Sequence, residues 1–204
     1  MSNIDKSYNL INTIEKVLIQ EIRSIVYDHK GPAYVKFVLL AVGIEFLGAC
    51  VDESPFDKKN SEKRFNSALM KLFKNIYHKY AKKNSNVYFY EQFRCSFVHQ
   101  FKPGPDIVIT HREESKREGT THLMNISNGQ LVIVLEDFYD DFENACKKFI
   151  RYSNEGKITN KKPEMDFLSL TNVNKKNKEN NTKCIQSQFK ILKVNYISTA
   201  QLFH

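Results

Sequence analysis

Apolar positions recur at helical spacing through the first hundred residues. Ile11, Ile14, Val17, Leu18, Ile22 and Ile25 predict a first helix over roughly Lys6 to Tyr27, ended by His29-Lys30-Gly31-Pro32. A second helix, from about Ala33 to Val51, is apolar on every side, the pattern of a helix at the centre of a bundle. Its Gly43 and Gly48 would let a neighbouring backbone come close. A third, opened by Ser61 and reaching about Lys82, sets Phe65, Leu69, Leu72, Phe73, Ile76, Tyr77 and Tyr80 in one stripe. A fourth, rich in aromatics, carries Arg94 and is stopped by Pro103-Gly104-Pro105.

Beyond that stop the period changes from helical to alternating. Asp106 to Thr110, Thr121 to Asn125 and Gln130 to Val134 read as three short strands, the last two joined around Asn128-Gly129 as a hairpin. Helical spacing resumes from Glu136 to Tyr152, with acids in the first turn and Lys147, Lys148 and Arg151 in the last, as the helix dipole favours. The expected fold is therefore mainly α: a bundle of four to five helices with a small antiparallel β element between the fourth and fifth. Residues 1–155 form the helical domain, with the β insertion at about 106–134. Residues 156–204 read as a polar, partly flexible C-terminal extension, because Asn172 to Lys183 holds five Asn and four Lys before a last apolar patch at Phe189 to Phe203.

Composition fits a globular chain: 204 residues, 41% hydrophobic, with 15 Phe and 10 Tyr against 7 Gly and 5 Pro. Cys50, Cys95, Cys146 and Cys184 are scattered with no Cys-x-x-Cys pair, which reads as free thiols in a reducing compartment. The N-terminus lacks the order of a signal peptide. The longest apolar run, Phe37 to Val51, is broken by Glu45 and is shorter than the roughly 20 residues that span a bilayer. A cytoplasmic protein with no membrane partner is expected.

Charge adds a second layer. The formal net charge is +8, and between Lys58 and Lys83 nine basic residues face a single acid, Glu62. Lys71, Lys74, Lys79, Lys82 and Lys83 are the candidate RNA-binding residues of that face. Glu136, Asp137, Asp140, Asp141 and Glu143 crowd a separate acidic stretch, which could attract a second copy of the chain.

Arg94 sits among Tyr90, Phe93, Phe97, Val98 and Phe101 in one helical sector of about 140°. A guanidinium cannot shed its proton, so a core-facing one needs a carboxylate, a carbonyl or a phosphate. Glu91, less than one turn back, and Glu45, the only acid of the second helix, are the candidate partners. His99 follows five residues later, about 140° round the helix, so the two side chains would not share a face within one chain. A twofold pairing of two copies would bring each Arg94 to the other chain's His99.

The helix Tyr90-Glu-Gln-Phe-Arg94-Cys-Ser-Phe-Val-His99 resembles the signature of the HEPN superfamily, in which an arginine precedes a histidine with four to six residues between them near the end of a core helix. Arg23 to His29 and Arg117 to His122 have similar spacing, but only Arg94 and His99 share one aromatic helix. The resemblance implies a dimeric bundle of four or five helices, a metal-independent RNA endonuclease or a degenerate RNA-binding relative, and no cofactor. Arg94 and His99 would be its catalytic pair, RNA its substrate, and a second copy or an antitoxin-like protein its partner. Catalytic members often carry a polar residue after the arginine, where this chain has Cys95. The competing reading is a non-catalytic protein-interaction module in which Arg94 makes a structural ion pair with Glu45 or Glu91.

Other chemistry is less well supported. His111 and His122 on neighbouring strands lack a Cys or Asp spaced to complete a metal site, and read as solvent-facing. The acidic run lacks the glycine and alternate spacing of a calcium loop. No glycine-rich phosphate loop and no Gly-x-Ser-x-Gly elbow occurs. Cys95 and His99 lie four apart, and a small buried thiol is the simpler reading of that pair.

Overall fold

The computed structural model describes residues 10–28, 30–52, 54 and 59–158, and the fold there is mainly helical with a two-stranded parallel sheet. Helix α1 is continuous but changes pitch, running as an α-helix over Leu10–Thr13, a π-helix over Ile14–Glu21 and an α-helix again over Ile22–Val26. Leu10, Ile14, Leu18, Ile22 and Val26, four apart throughout, are its buried apolar positions. The expected start at Lys6 and the C-terminal extension beyond Ile158 lie outside the described residues.

Helix α2 is Ala33–Val51. By length and hydropathy it could cross a bilayer, yet 61% of its apolar window is buried inside the protein. Two glycines let its neighbours approach. A Cβ on Gly48 would overlap the carbonyl oxygen of Arg64 on the next helix, and one on Gly43 would meet the ring of Phe142 at 2.7 Å. Lys36 is buried on this helix and donates to the carbonyls of Val26 (3.2 Å) and Asp28 (2.5 Å), closing the C-terminal end of α1 with its cation.

The third expected helix is two elements. Helix α3, Ser61–Lys71, ends at Leu72, and after the extended Lys74 the chain resumes as a 3₁₀ helix, Asn75–Ala81. Residues three apart align at three residues per turn, so Tyr77 and Tyr80 both reach the core while Ile76 is 50% exposed. A continuous α-helix would have placed Ile76 in the buried stripe. Arg64 of α3 forms a buried ion pair with Asp52, 3.0 Å from Nε to Oδ2.

Helix α4 combines a π segment, Tyr90–Cys95, with an α segment, Ser96–Gln100. Phe101 then takes a left-handed conformation (φ 54°), which ends the helix and leaves its ring 60% exposed, contrary to the expected aromatic sector. Phe93 and Phe97 do enter the core, packed edge-on at 5.0 Å from each other and within 6.1 Å of Phe37 of α2.

Strand β1, Ile107–Thr110, pairs parallel with β2, Leu131–Val134, in the register Ile107 to Leu131 through Thr110 to Val134. The sheet is thus parallel where the sequence leads one to expect an antiparallel element. Helix α5, Arg112–Arg117, lies in the connection and provides the crossover that parallel strands require. The Asn128-Gly129 turn does form, with Gly129 at φ 86° and Ile126 N donating to Gln130 O at 3.0 Å. Leu123, at φ 62°, kinks the segment before it and leaves a single antiparallel bridge, Asn125 to Leu131. All four residues of β2 are buried, as a strand covered on both faces should be. Helix α6, Leu135–Asn154, follows directly, and its Phe138 packs edge-on against Phe93 at 5.1 Å.

Candidate functional site

Arg94 and His99 meet within one chain. Arg94 Nη1 lies 3.4 Å from His99 Nε2, and Arg94 Nε donates to Glu45 Oε2 at 2.7 Å. The angle between the two positions on the helix is spanned by the long arginine side chain, so no second copy is needed to bring them together. The tyrosine one turn back, Tyr90, offers its ring 5.7 Å from the guanidinium carbon. The guanidinium is therefore oriented from three sides, by a carboxylate on α2, a ring below it and an imidazole beyond it.

The site is partly open. The Arg94 side chain is 15% exposed and that of Glu45 23%, whereas His99 is exposed. Burial weakens the hold of Arg94 on its proton, but the hydrogen bond and charge of Glu45 more than offset that and raise its pKa further above the ordinary arginine value. Burial also raises the Tyr90 phenol, with Ser61 opposing and Cys95 reinforcing the shift. For Arg94 to donate to Nε2, that nitrogen must carry its lone pair, which is the form a general base needs.

Of the two carboxylates expected to support Arg94, Glu45 does so. Glu91 is exposed and makes no ion pair among the described residues; only its backbone carbonyl is used, accepting from Ser96 Oγ at 3.0 Å. Cys95 is partly buried beside the pair.

The five candidate lysines do not form one free face. Lys74 pairs with Asp141 and Lys83 with Glu62. Lys71 donates to the carbonyl of Val51 at 3.3 Å, at the end of α2, and Lys79 stacks on Tyr80 at 4.8 Å. Lys82 is exposed. The acidic stretch of α6 is likewise used internally. Arg112 bridges Asp137 (2.6 Å) and Asp140 (2.8 Å), and Tyr27 also donates to Asp140. Arg23 and Lys147 both reach Glu143.

A second constellation has no local signature in the sequence. Tyr77 donates to Asp141 Oδ2 at 2.8 Å and lies 2.7 Å from His122 Nε2, while the backbone N–H of Val134 donates to His122 Nδ1 at 3.1 Å. Because Nδ1 accepts, the neutral ring carries its proton on Nε2 and passes a hydrogen bond to Tyr77 and on to Asp141. His122 is thus not the solvent-facing strand residue that alternation implies. Burial lowers its pKa to about 4 against the opposing pull of Asp141. Burial, Asp141 and its hydrogen bond push the Tyr77 phenol well above its ordinary value. The partners lie 45 and 64 residues apart, too far for any short pattern to join them.

His111 stands 3.7 Å from Glu136, and among the described residues no group of three His, Cys, Asp or Glu side chains is placed to hold a metal ion. Comparison of the chain with protein-family models, with curated proteins and with solved structures finds no match.

Proposed function

We propose that the chain is a HEPN-like cytoplasmic protein whose Arg94–His99 pair cleaves RNA without a metal ion. The observation that carries this reading is the 3.4 Å approach of the two side chains in an exposed setting, with Glu45 fixing the guanidinium from behind. Metal-free cleavage needs a base for the 2′-hydroxyl and a cation on the phosphate as charge builds there. Glu45 takes only Nε, so guanidinium N–H groups remain for phosphate oxygens. When the arginine turns its Nη1 from His99 to the phosphate, Nε2 is freed to take the hydroxyl proton. The attacking oxygen then displaces the 5′-oxygen, which takes a proton from solvent water as it leaves, and a 2′,3′-cyclic phosphate remains.

The finer architecture that goes with this reading is a four- or five-helix bundle acting as a homodimer, with an antitoxin-like protein as a further partner. Incubating purified protein with single-stranded RNA in EDTA tests the proposal, and cyclic-phosphate ends are the expected product. The second reading, an interaction module with a structural Arg94, is favoured by the same Glu45 contact. Intact RNA together with a folded His99→Ala variant indistinguishable from the parent would select it.

A further inference from the structure

The C-terminal half of α6 carries positive charge that nearby carboxylates answer only in part. Asn144, Lys147, Lys148 and Arg151 follow one stripe of the helix and face the Leu72–Lys74 turn across a surface depression of about 450 Å³. Two of the lysines there are already matched, Lys74 by Asp141 and Lys147 by Glu143. Lys148 and Arg151 form no ion pair with a carboxylate among the described residues. Both instead lie against the ring of Tyr152, at 5.6 and 5.5 Å, and Lys157 approaches the same ring at 5.4 Å while pairing with Glu155. Three cations around one ring repel one another, and the single carboxylate Glu155, paired with Lys157 and within electrostatic reach of Arg151, answers them only in part. The negative end of the helix dipole offsets part of this, but by fractions of a full charge.

We propose that this depression binds the sugar-phosphate backbone of single-stranded RNA, with Lys148 and Arg151 as the phosphate contacts. A row of cations along a groove, in excess of the one carboxylate that lines it, is what tracks the backbone of a flexible polyanion. The proposal rests on the preceding reading only for the identity of the polyanion; it concerns binding and stands apart from whether His99 acts as a base.

The test is titration of a fluorescent single-stranded RNA of mixed sequence with parent and with Lys148→Ala/Arg151→Ala, at several salt concentrations. Removing two phosphate contacts should lower the slope of log affinity against log salt by about 1.4, at roughly 0.7 per contact for a single strand. Arg151→Lys, which keeps the charge, should retain the parent slope, and a thermal melt of each variant checks folding. A double variant that is folded and binds with the parent slope overturns the proposal while leaving RNA as the ligand of another surface. A parent that binds no RNA at low salt overturns it together with the RNA reading. Displacement of bound RNA by polyglutamate at equal charge concentration overturns it in favour of an acidic protein partner. RNA cleavage, scored separately in EDTA, reports on the Arg94–His99 pair.

Discussion

Glu45 Oε2 lies 2.7 Å from Arg94 Nε, joining the only acid of the apolar helix α2 to the only arginine of α4 across 49 residues of chain. Each charge answers the other in a setting that neither could occupy alone without cost. The same contact holds the guanidinium within reach of His99, so a packing requirement and the proposed chemistry share one side chain.

Partial exposure limits what this pair contributes to stability. The side chains are 15% and 23% exposed, between an open surface pair and a dry one. Arg94→Ala and Glu45→Gln should each lower stability by about 1–2 kcal/mol, less than the roughly 3–5 of a fully buried pair. Urea melts of both single variants and the double variant measure it. A coupling energy near zero would show that the two groups do not rely on each other.

Gly48 should be the least replaceable glycine among those described. A methyl group at that position would fall well inside van der Waals contact with the backbone carbonyl of Arg64. Gly48→Ala must therefore push α3 away from α2, at a cost of more than about 3 kcal/mol. Gly129→Ala has open space around it and faces only the strain of φ 86°, about 1–2 kcal/mol. Comparing their thermal melts separates close packing from backbone strain, and equal losses would refute the assignment.

His122 should make the fold sensitive to mild acid. Its folded pKa of about 4 lies below the ordinary 6.5, so the unfolded chain takes up the proton more readily. The stability it contributes is whole above pH 6.5 and falls away as the pH drops from there toward 4. The span corresponds to about 3 kcal/mol. Protonation would also put a proton on Nδ1, where Val134 N–H now donates. In His122→Gln the loss of stability between pH 7 and 4 should shrink by about that amount, as urea midpoints would show. An unchanged pH profile would mean that the ring is not buried in solution.

How much of this is legible in the sequence depends on the range of the interactions. Helix α2 can be read to its observed ends because nineteen apolar-rich residues lie between Pro32 and Asp52 and local pattern suffices there. Gly48 and Gly43 stand out because a gap in a run of large side chains is itself a local signal. The third helix cannot be read correctly, because stripe periodicity does not distinguish α from 3₁₀ winding once the core takes Tyr77 and Tyr80 together. Nor does the parallel pairing of β1 and β2 follow from three alternating segments, since alternation is the same for either direction and the kink at Leu123 is conformational. At the candidate site, Arg94, His99 and Glu45 are all visible as residues out of place. Their meeting in one chain is not, because side-chain reach, unlike helical angle, depends on the rotamer that α2 imposes.

The catalytic expectation is the most exposed to refutation. If His99 is the general base, His99→Ala should lower cleavage of single-stranded RNA in EDTA by 100- to 10,000-fold, roughly 3–5 kcal/mol of barrier. Its stability should stay close to that of the parent, because the ring is exposed and its contact with Arg94 is a long 3.4 Å approach. Cys95→Ser should leave the rate nearly unchanged, which separates imidazole from thiol chemistry. Glu45→Gln keeps a hydrogen-bond acceptor but removes the charge that orients Arg94, so it should slow cleavage less than Arg94→Ala does. Gel assays on freshly purified protein, with the product ends identified by mass, read all four variants. Cleavage by His99→Ala within tenfold of the parent would place the activity in another site or another protein, leaving Arg94 with the structural role that Glu45 already gives it.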